Sequence, residues 1–215
     1  ALPIYQQYFR PGLLDKLVTW EEGSYFHQGK LDRLRESLTK LDYFSTIDIQ
    51  PRPEDAYGDG EVPVDVNLTL AKRTIYTAGL SYGSESGPGV RGGVERRYVN
   101  SRGHKLNTQL DYAQKRKSLV TSYRIPAFTW LDGWYTFAAS AYDEQTDYID
   151  LRNMKLRASR SGQLDRNWTL IASLNMLRER WRYYSDGTAI SPTGDYYYQG
   201  ALVYSQAPGN MGLGF

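Results

Sequence analysis

Few residues of this chain are equipped for bond chemistry. His27 and His104 are the only histidines and cysteine is absent, which removes disulfides, thiol nucleophiles and thiolate metal sites together. Two imidazoles far apart in sequence, each in a stretch that reads as a surface turn, make a poor metal set. The carboxylates are scattered, and those in alternating segments sit beside Arg and Lys, which suits a hydrated surface better than an acid/base pair. Gly87-Pro88-Gly89 followed by Gly92-Gly93 has the glycine content of a phosphate loop. It leads into a strand pattern, however, and no Lys-Ser/Thr follows it. The expectation is no catalytic residue, no metal and no cofactor, and hence no enzyme.

Binding is then the remaining class, and the charge balance narrows it. A net charge of +2 arises from 26 basic and 24 acidic residues over 215 positions, so nothing favours nucleic acid. Nineteen Tyr and five Trp bring the aromatic content to 14%, although the mean hydropathy of -0.59 is hydrophilic. No stretch approaches the roughly 20 apolar residues of a membrane-spanning helix. A β-barrel stays open, because its strands alternate apolar with polar and average out. Ala1-Leu2-Pro3-Ile4-Tyr5 has neither a basic nor an apolar leader region, so either the protein is cytoplasmic or its start has been removed.

Two periodicities divide the chain. Pro11 suits the first position of a short helix through Leu13, Leu14, Leu17 and Val18. A loop from Trp20 to Phe26 follows. Leu31, Leu34, Leu38 and Leu41 then fall on one face of a second helix over 28–41. Period two begins at 45–50 and returns at 62–70, where Val62, Val64, Val66, Leu68 and Leu70 alternate with polar residues or proline. The turn-rich segment 51–60 reads as the loop of a hairpin. Residues 1–72 thus read as an α+β unit with two helices on one face of a small sheet.

From residue 73 onward only alternation remains. Eight strands are expected at about 73–82, 90–100, 105–114, 118–125, 134–142, 150–161, 167–177 and 196–204, each near the roughly 10 residues of a tilted membrane strand. Leu106, Leu110 and Tyr112 oppose Asn107, Gln109 and Asp111, and Met154, Leu156 and Ala158 oppose Asn153, Lys155 and Arg157. Aromatics near strand ends, among them Tyr76, Tyr82, Tyr98, Tyr112, Tyr123, Trp134, Tyr135, Tyr142, Tyr148, Trp168, Trp181 and Tyr183, match the girdles of a membrane barrel. Ordinary strand propensity would also put them there. Turns at 100–103 and 161–163 read as short, and the connection at 184–195 reads as long, which is the asymmetry of periplasmic and extracellular ends. Alternation by itself is equally compatible with a soluble barrel that has an apolar interior.

One resemblance speaks to this choice. Trp20-Glu21-Glu22-Gly23-Ser24-Tyr25-Phe26, the helix leucines, Leu41-Asp42-Tyr43-Phe44-Ser45 and Val62-Pro63-Val64 resemble the last POTRA domain of TamA-like proteins, the outer-membrane subunits of the translocation and assembly module within the Omp85 superfamily. Gly79-Leu80-Ser81-Tyr82-Gly83, Gly87-Pro88, Val94-Glu95-Arg96-Arg97-Tyr98, Asn100-Ser101-Arg102-Gly103-His104 and Tyr123-Arg124-Ile125-Pro126 continue it into the opening of that family's barrel.

The resemblance implies a periplasmic POTRA module at 1–72, followed at 73–215 by the first strands of a barrel in the bacterial outer membrane. It implies assembly and insertion of outer-membrane proteins, autotransporters included, by strand templating. Partners would be the bilayer, client strands and a TamB-like inner-membrane-anchored protein. The client edge would be Thr74, Tyr76, Thr77, Ala78, Gly79, Leu80, Ser81 and Tyr82, and the POTRA edge Ser45, Thr46, Ile47, Asp48, Ile49 and Gln50. Gly79 could equally serve barrel curvature. Arg91, Arg97, Lys155 and Arg157 would hydrate the lumen. Residues 1–10 are a poor version of the strand that opens such a module, and the Gly- and Pro-rich tail 206–215 reads as non-strand. Further modules and half of the barrel lack counterparts, so the chain reads as part of a longer protein. A passive pore or adhesin-type barrel and a soluble β-rich binding domain are the competing readings.

Overall fold

The computed structural model describes residues 8–55, 62–165, 167–185 and 188–206. The expected opening strand at 1–10 and the tail at 206–215 fall almost wholly outside them. The α-helix α1, Gln28–Leu41, has the bounds that the leucine spacing predicts, and Leu31, Leu34, Leu38 and Leu41 are all buried. His27 caps its start, Nδ1 accepting from the Gly29 N–H at 3.0 Å, which satisfies one otherwise free donor. Asp42, at φ 56°, closes it in the left-handed conformation.

The expected first helix is corrected to a single 3-10 turn, Asp15–Leu17. Gly12 breaks the run in front of it at φ 83°. No side chain caps the turn, and Val18 is already extended. A segment this short gains too little hydrogen bonding to offset helix nucleation. Strands β1, Phe44–Pro51, and β2, Val64–Leu70, pair antiparallel, with Ile47 opposite Leu68 and Ile49 opposite Val66. Among the described residues the unit is therefore one α-helix on a two-stranded sheet.

The rest of the described chain is an eight-stranded antiparallel meander in strict sequence order. Its strands are β3 (Thr74–Gly83), β4 (Gly87–Arg96), β5 (Lys105–Ala113), β6 (Arg116–Pro126), β7 (Leu131–Gln145), β8 (Ile149–Asp165), β9 (Trp168–Ser185) and β10 (Thr188–Gln206). The sheet ends at β3 on one side and β10 on the other, and no pairing joins these two among the described residues. The long connection expected at 184–195 is corrected, because β9 and β10 run on until Ser185 pairs with Thr188. Backbone pairing needs no apolar alternation once a strand has left the apolar zone, so Arg178, Arg180 and Arg182 conceal its continuation.

One core serves both parts. Phe9, Leu17 and the four helix leucines pack with Tyr43, Phe44, Ile49 and Leu68 of the small unit, and with Tyr98, Phe128 and Trp134 from connections and strand ends of the meander.

Candidate functional site

The first strand of the meander is its terminal strand. β3 pairs with β4 from Thr74 opposite Arg96 to Gly83 opposite Gly87 and has no strand on its other side among the described residues. Its outer row of N–H and C=O groups is thus open to an added strand. Side chains do little to strengthen the hairpin. Ala78 faces Gly92 and Thr77 faces Gly93, and a Cβ added at Gly79 or Gly92 would meet nothing within 4 Å. Tyr76, Leu80 and Tyr82 are strongly exposed, Leu80 at 90%. All eight residues expected at the client edge therefore share this strand. In β1, the side away from β2 is likewise without a strand among the described residues. There Ser45, Thr46 and Gln50 are exposed, Ile47 and Asp48 half-buried and Ile49 buried.

A second constellation is one that sequence reasoning missed: the joint between the small unit and the meander. Tyr43, fully buried, donates its hydroxyl to the Gly103 carbonyl. Gly103 lies at φ 73°, and a Cβ there would stand 2.6 Å from the Tyr43 hydroxyl, so glycine is required twice over. Tyr98 donates to the Ala71 carbonyl at 2.8 Å, and Phe9 stacks on Tyr43 with centroids 5.0 Å apart. Burial pushes both tyrosine hydroxyls upward in pKa, so they stay protonated donors. Arg97 Nε donates to Asp42 at 3.1 Å, and Arg33 Nη2 donates to Gln163 at 3.0 Å.

This joint corrects three expectations. Arg97 pairs with the helix cap instead of lining a lumen, and Tyr98 and Trp134 are core residues instead of girdle aromatics. His104, expected at a surface turn, is half-buried with Nδ1 2.7 Å from the Tyr123 hydroxyl. Burial, reinforced by Arg102, lowers its pKa. Isolated aromatics in an alternating stretch carry no mark of tertiary burial, so Asn100-Ser101-Arg102-Gly103 was the only local hint of a constrained turn.

The register fixes the two faces of the sheet. One row runs Gly79, Arg91, Asp111, Ser118, Tyr142, Asn153, Glu179. Arg91 pairs with Asp111, and Arg116 reaches Glu144 at 3.0 Å, with the Tyr142 hydroxyl donating to the same carboxylate. Lys155 and Arg157 share this face. Tyr142 is thereby a polar-face residue and not a girdle aromatic, while the side chains of Trp181 and Tyr183 lie outside the described residues.

The opposite face is apolar and uncovered. Leu156 is 49% and Leu174 74% exposed, and Leu106, Leu110, Leu156 and Leu170 do not close into a dry centre. Its apolar residues form an oblique band. It covers Tyr76 to Tyr82 on β3, Leu106 to Tyr112 on β5, Ile125 to Leu119 on β6 and Leu170 to Met176 on β9. Met176, the outermost apolar residue on β9, lies in the row of Tyr76, the innermost on β3. The band therefore slips three side-chain rows across six strand spacings. At about 3.3 Å per residue and 4.8 Å between strands that is roughly 20 Å against 29 Å, a slope near 35°. Strands of transmembrane barrels tilt by about this angle, which would bring the band level with a bilayer.

Comparison with known proteins follows the same line. No family model matches the chain. It is 27% identical over 129 residues to the outer membrane protein assembly factor BamA of Nitratidesulfovibrio vulgaris strain Hildenborough, covering 60% of this chain and 16% of that protein. The chain thus spans about a sixth of the length of this curated relative. Its fold is similar to the crystal structure of BamA from Haemophilus ducreyi lacking POTRA domains 1–3, at a TM-score of 0.61 and 13% identity over 95% of this chain and 43% of that one. It is also similar to CdiB from Acinetobacter baumannii, at a TM-score of 0.51 and 13% identity over 92% and 41% of the two chains.

Proposed function

We propose that this chain, of Omp85 type by homology and fold, belongs to an outer-membrane protein assembly factor and supplies the strand that templates its clients. The observation that carries the reading is β3: the terminal strand of the sheet among the described residues, beside a glycine-rich neighbour and with no strand on its outer edge. An incoming client strand would pair with the edge bearing Thr74, Tyr76, Thr77, Ala78, Gly79, Leu80, Ser81 and Tyr82. The bare positions at Gly79 and Gly92 would leave little side-chain packing to retain it. No chemistry is required of the chain beyond this pairing, in keeping with its similarity to an outer membrane protein assembly factor.

Residues 1–72 would then be a POTRA-like unit on the periplasmic side, held to the inner turns of the meander through Tyr43, Tyr98 and Arg97, with 73–215 in the outer membrane. The free side of β1 along Ser45, Thr46, Ile47, Asp48, Ile49 and Gln50 would receive clients, autotransporters among them, or a TamB-like partner by the same augmentation.

Proline scanning of β3 in the complete protein tests the reading, because proline removes an N–H from the ladder. Thr77→Pro/Gly79→Pro and Ala78→Pro/Leu80→Pro address the two sides of the strand. One pair breaks β3 from β4. The other should leave the barrel folded and stop client insertion. Normal insertion by every variant that folds would refute templating at this strand.

A further inference from the structure

The outer edge of the apolar band is strongly basic on β6 to β9. Lys117, Asp143, Arg152 and Arg180 are register neighbours in one row on the lipid-side face. Arg178 lies one row inward, opposite Met154, and Arg182 one row outward, opposite Asp150. Five cations thus accompany two carboxylates. Arg152 and Arg180 are directly opposite across the strands, an arrangement of like charges that is unfavourable unless an anion bridges it. Asp143, 3.0 Å from Arg152, and Asp150, opposite Arg182, leave the five cations in excess. Arg152, Arg180 and Arg182 line a hollow of about 200 Å³ with Asp143 and Asp150, large enough for a phosphate group.

Directly inward on the same strands the surface becomes a groove. A cavity of about 670 Å³ opens among Tyr123, Phe137, Leu156, Ala158, Leu174 and Met176, where alanines at 139 and 158 lower the floor between larger neighbours. Met176 and Arg180 are separated by about 13 Å along β9 at 3.3 Å per residue. The inner edge of the band is different. There Arg160 is stacked between Trp130 at 4.4 Å and Tyr135 at 4.6 Å, and its Nη2 donates to Thr129 at 3.0 Å, so the protein itself occupies that guanidinium.

Resting on the membrane reading above, we propose that β7–β9 form a binding site for a phosphorylated, multiply acylated glycolipid of the outer leaflet. A phosphate sits among Arg152, Arg180 and Arg182, and an acyl chain lies in the Leu156–Leu174 groove. Charge selects the headgroup, the groove selects the tail, and their separation selects a molecule carrying both.

The test uses the complete protein in detergent, titrated with bisphosphorylated lipid A, dephosphorylated lipid A and inorganic phosphate, with binding read by native mass spectrometry. Lipid A should bind at least 10-fold more tightly than its dephosphorylated form. Arg152→Gln/Arg180→Gln should abolish that preference, Leu174→Trp should weaken both lipids by filling the groove, and the polar-face control Arg91→Gln should change neither. Equal binding of the two lipids, retention of the preference by the double variant, or full competition by millimolar inorganic phosphate would overturn the proposal. Vesicle incorporation is scored in parallel. A protein that incorporates but shows no lipid preference refutes this inference alone, whereas one that never enters vesicles refutes the membrane reading and this inference with it.

Discussion

Leucines occupy opposite environments in the two parts of this molecule. In the N-terminal unit Leu38 is 2% exposed and shares one core with Leu34, Leu41, Tyr43 and Phe9. On the meander Leu80, Leu156 and Leu174 stand uncovered on one face, while Arg91, Asp111 and Glu144 are paired on the other. In the N-terminal unit the leucines are buried as the hydrophobic effect requires. On the meander they stay exposed in an oblique band, which fits the proposed contact with lipid.

The contrast can be broken in order of effect. Leu38→Ala should cost the N-terminal unit about 2–5 kcal/mol, the range for emptying a buried leucine site. Denaturant unfolding followed by the helical circular-dichroism signal would measure it, and a loss under 1 kcal/mol would mean that the core is loose. Leu156→Arg should destabilise the bilayer-inserted protein by about 2–4 kcal/mol, as a charge at the lipid face does, while Ser140→Arg on the polar face should cost little. Equal costs would erase the difference between the faces. At the joint, a double-mutant cycle of Asp42→Ala with Arg97→Ala should give a coupling of about 0.5–1 kcal/mol, since this pair is partly solvated.

The smallest expected effect is a pH dependence at His104. Burial lowers its pKa in the folded state below the ordinary value of 6.5, so the unfolded chain takes up a proton first as pH falls. The stabilisation is complete above 6.5 and is lost progressively below it. His104→Gln should flatten the loss of stability between about pH 7 and pH 5, and an unchanged slope would assign the dependence elsewhere.

Much of this arrangement was legible in the residues, and the parts that were not have physical reasons. The bounds of α1 follow from four leucines at helical spacing, and the count of eight meander strands follows from alternation. The helix expected after Pro11 failed because Gly12 and extended Val18 leave room for a single turn. The reach of β9 and β10 was hidden because strands beyond the apolar band lose the apolar period while keeping their ladder. Tyr98 and Trp134 looked like girdle aromatics because burial against another unit is a tertiary fact without local periodicity. The edge at β3 was expected from the family resemblance and not from glycine content, and only the sheet order makes that strand terminal among the described residues.

The assignment of the apolar face to lipid is most directly tested by site-directed spin labelling at positions 153 to 158 of β8, one at a time, in the complete protein reconstituted into vesicles. These 215 residues contain no cysteine, so once any cysteine elsewhere in the complete protein is replaced by serine, each introduced thiol is unique. Labels at 154, 156 and 158 should collide with oxygen dissolved in the bilayer, and those at 153, 155 and 157 with a water-soluble nickel chelate, in strict alternation. The opposite phase, or water access at all six positions, would contradict the account.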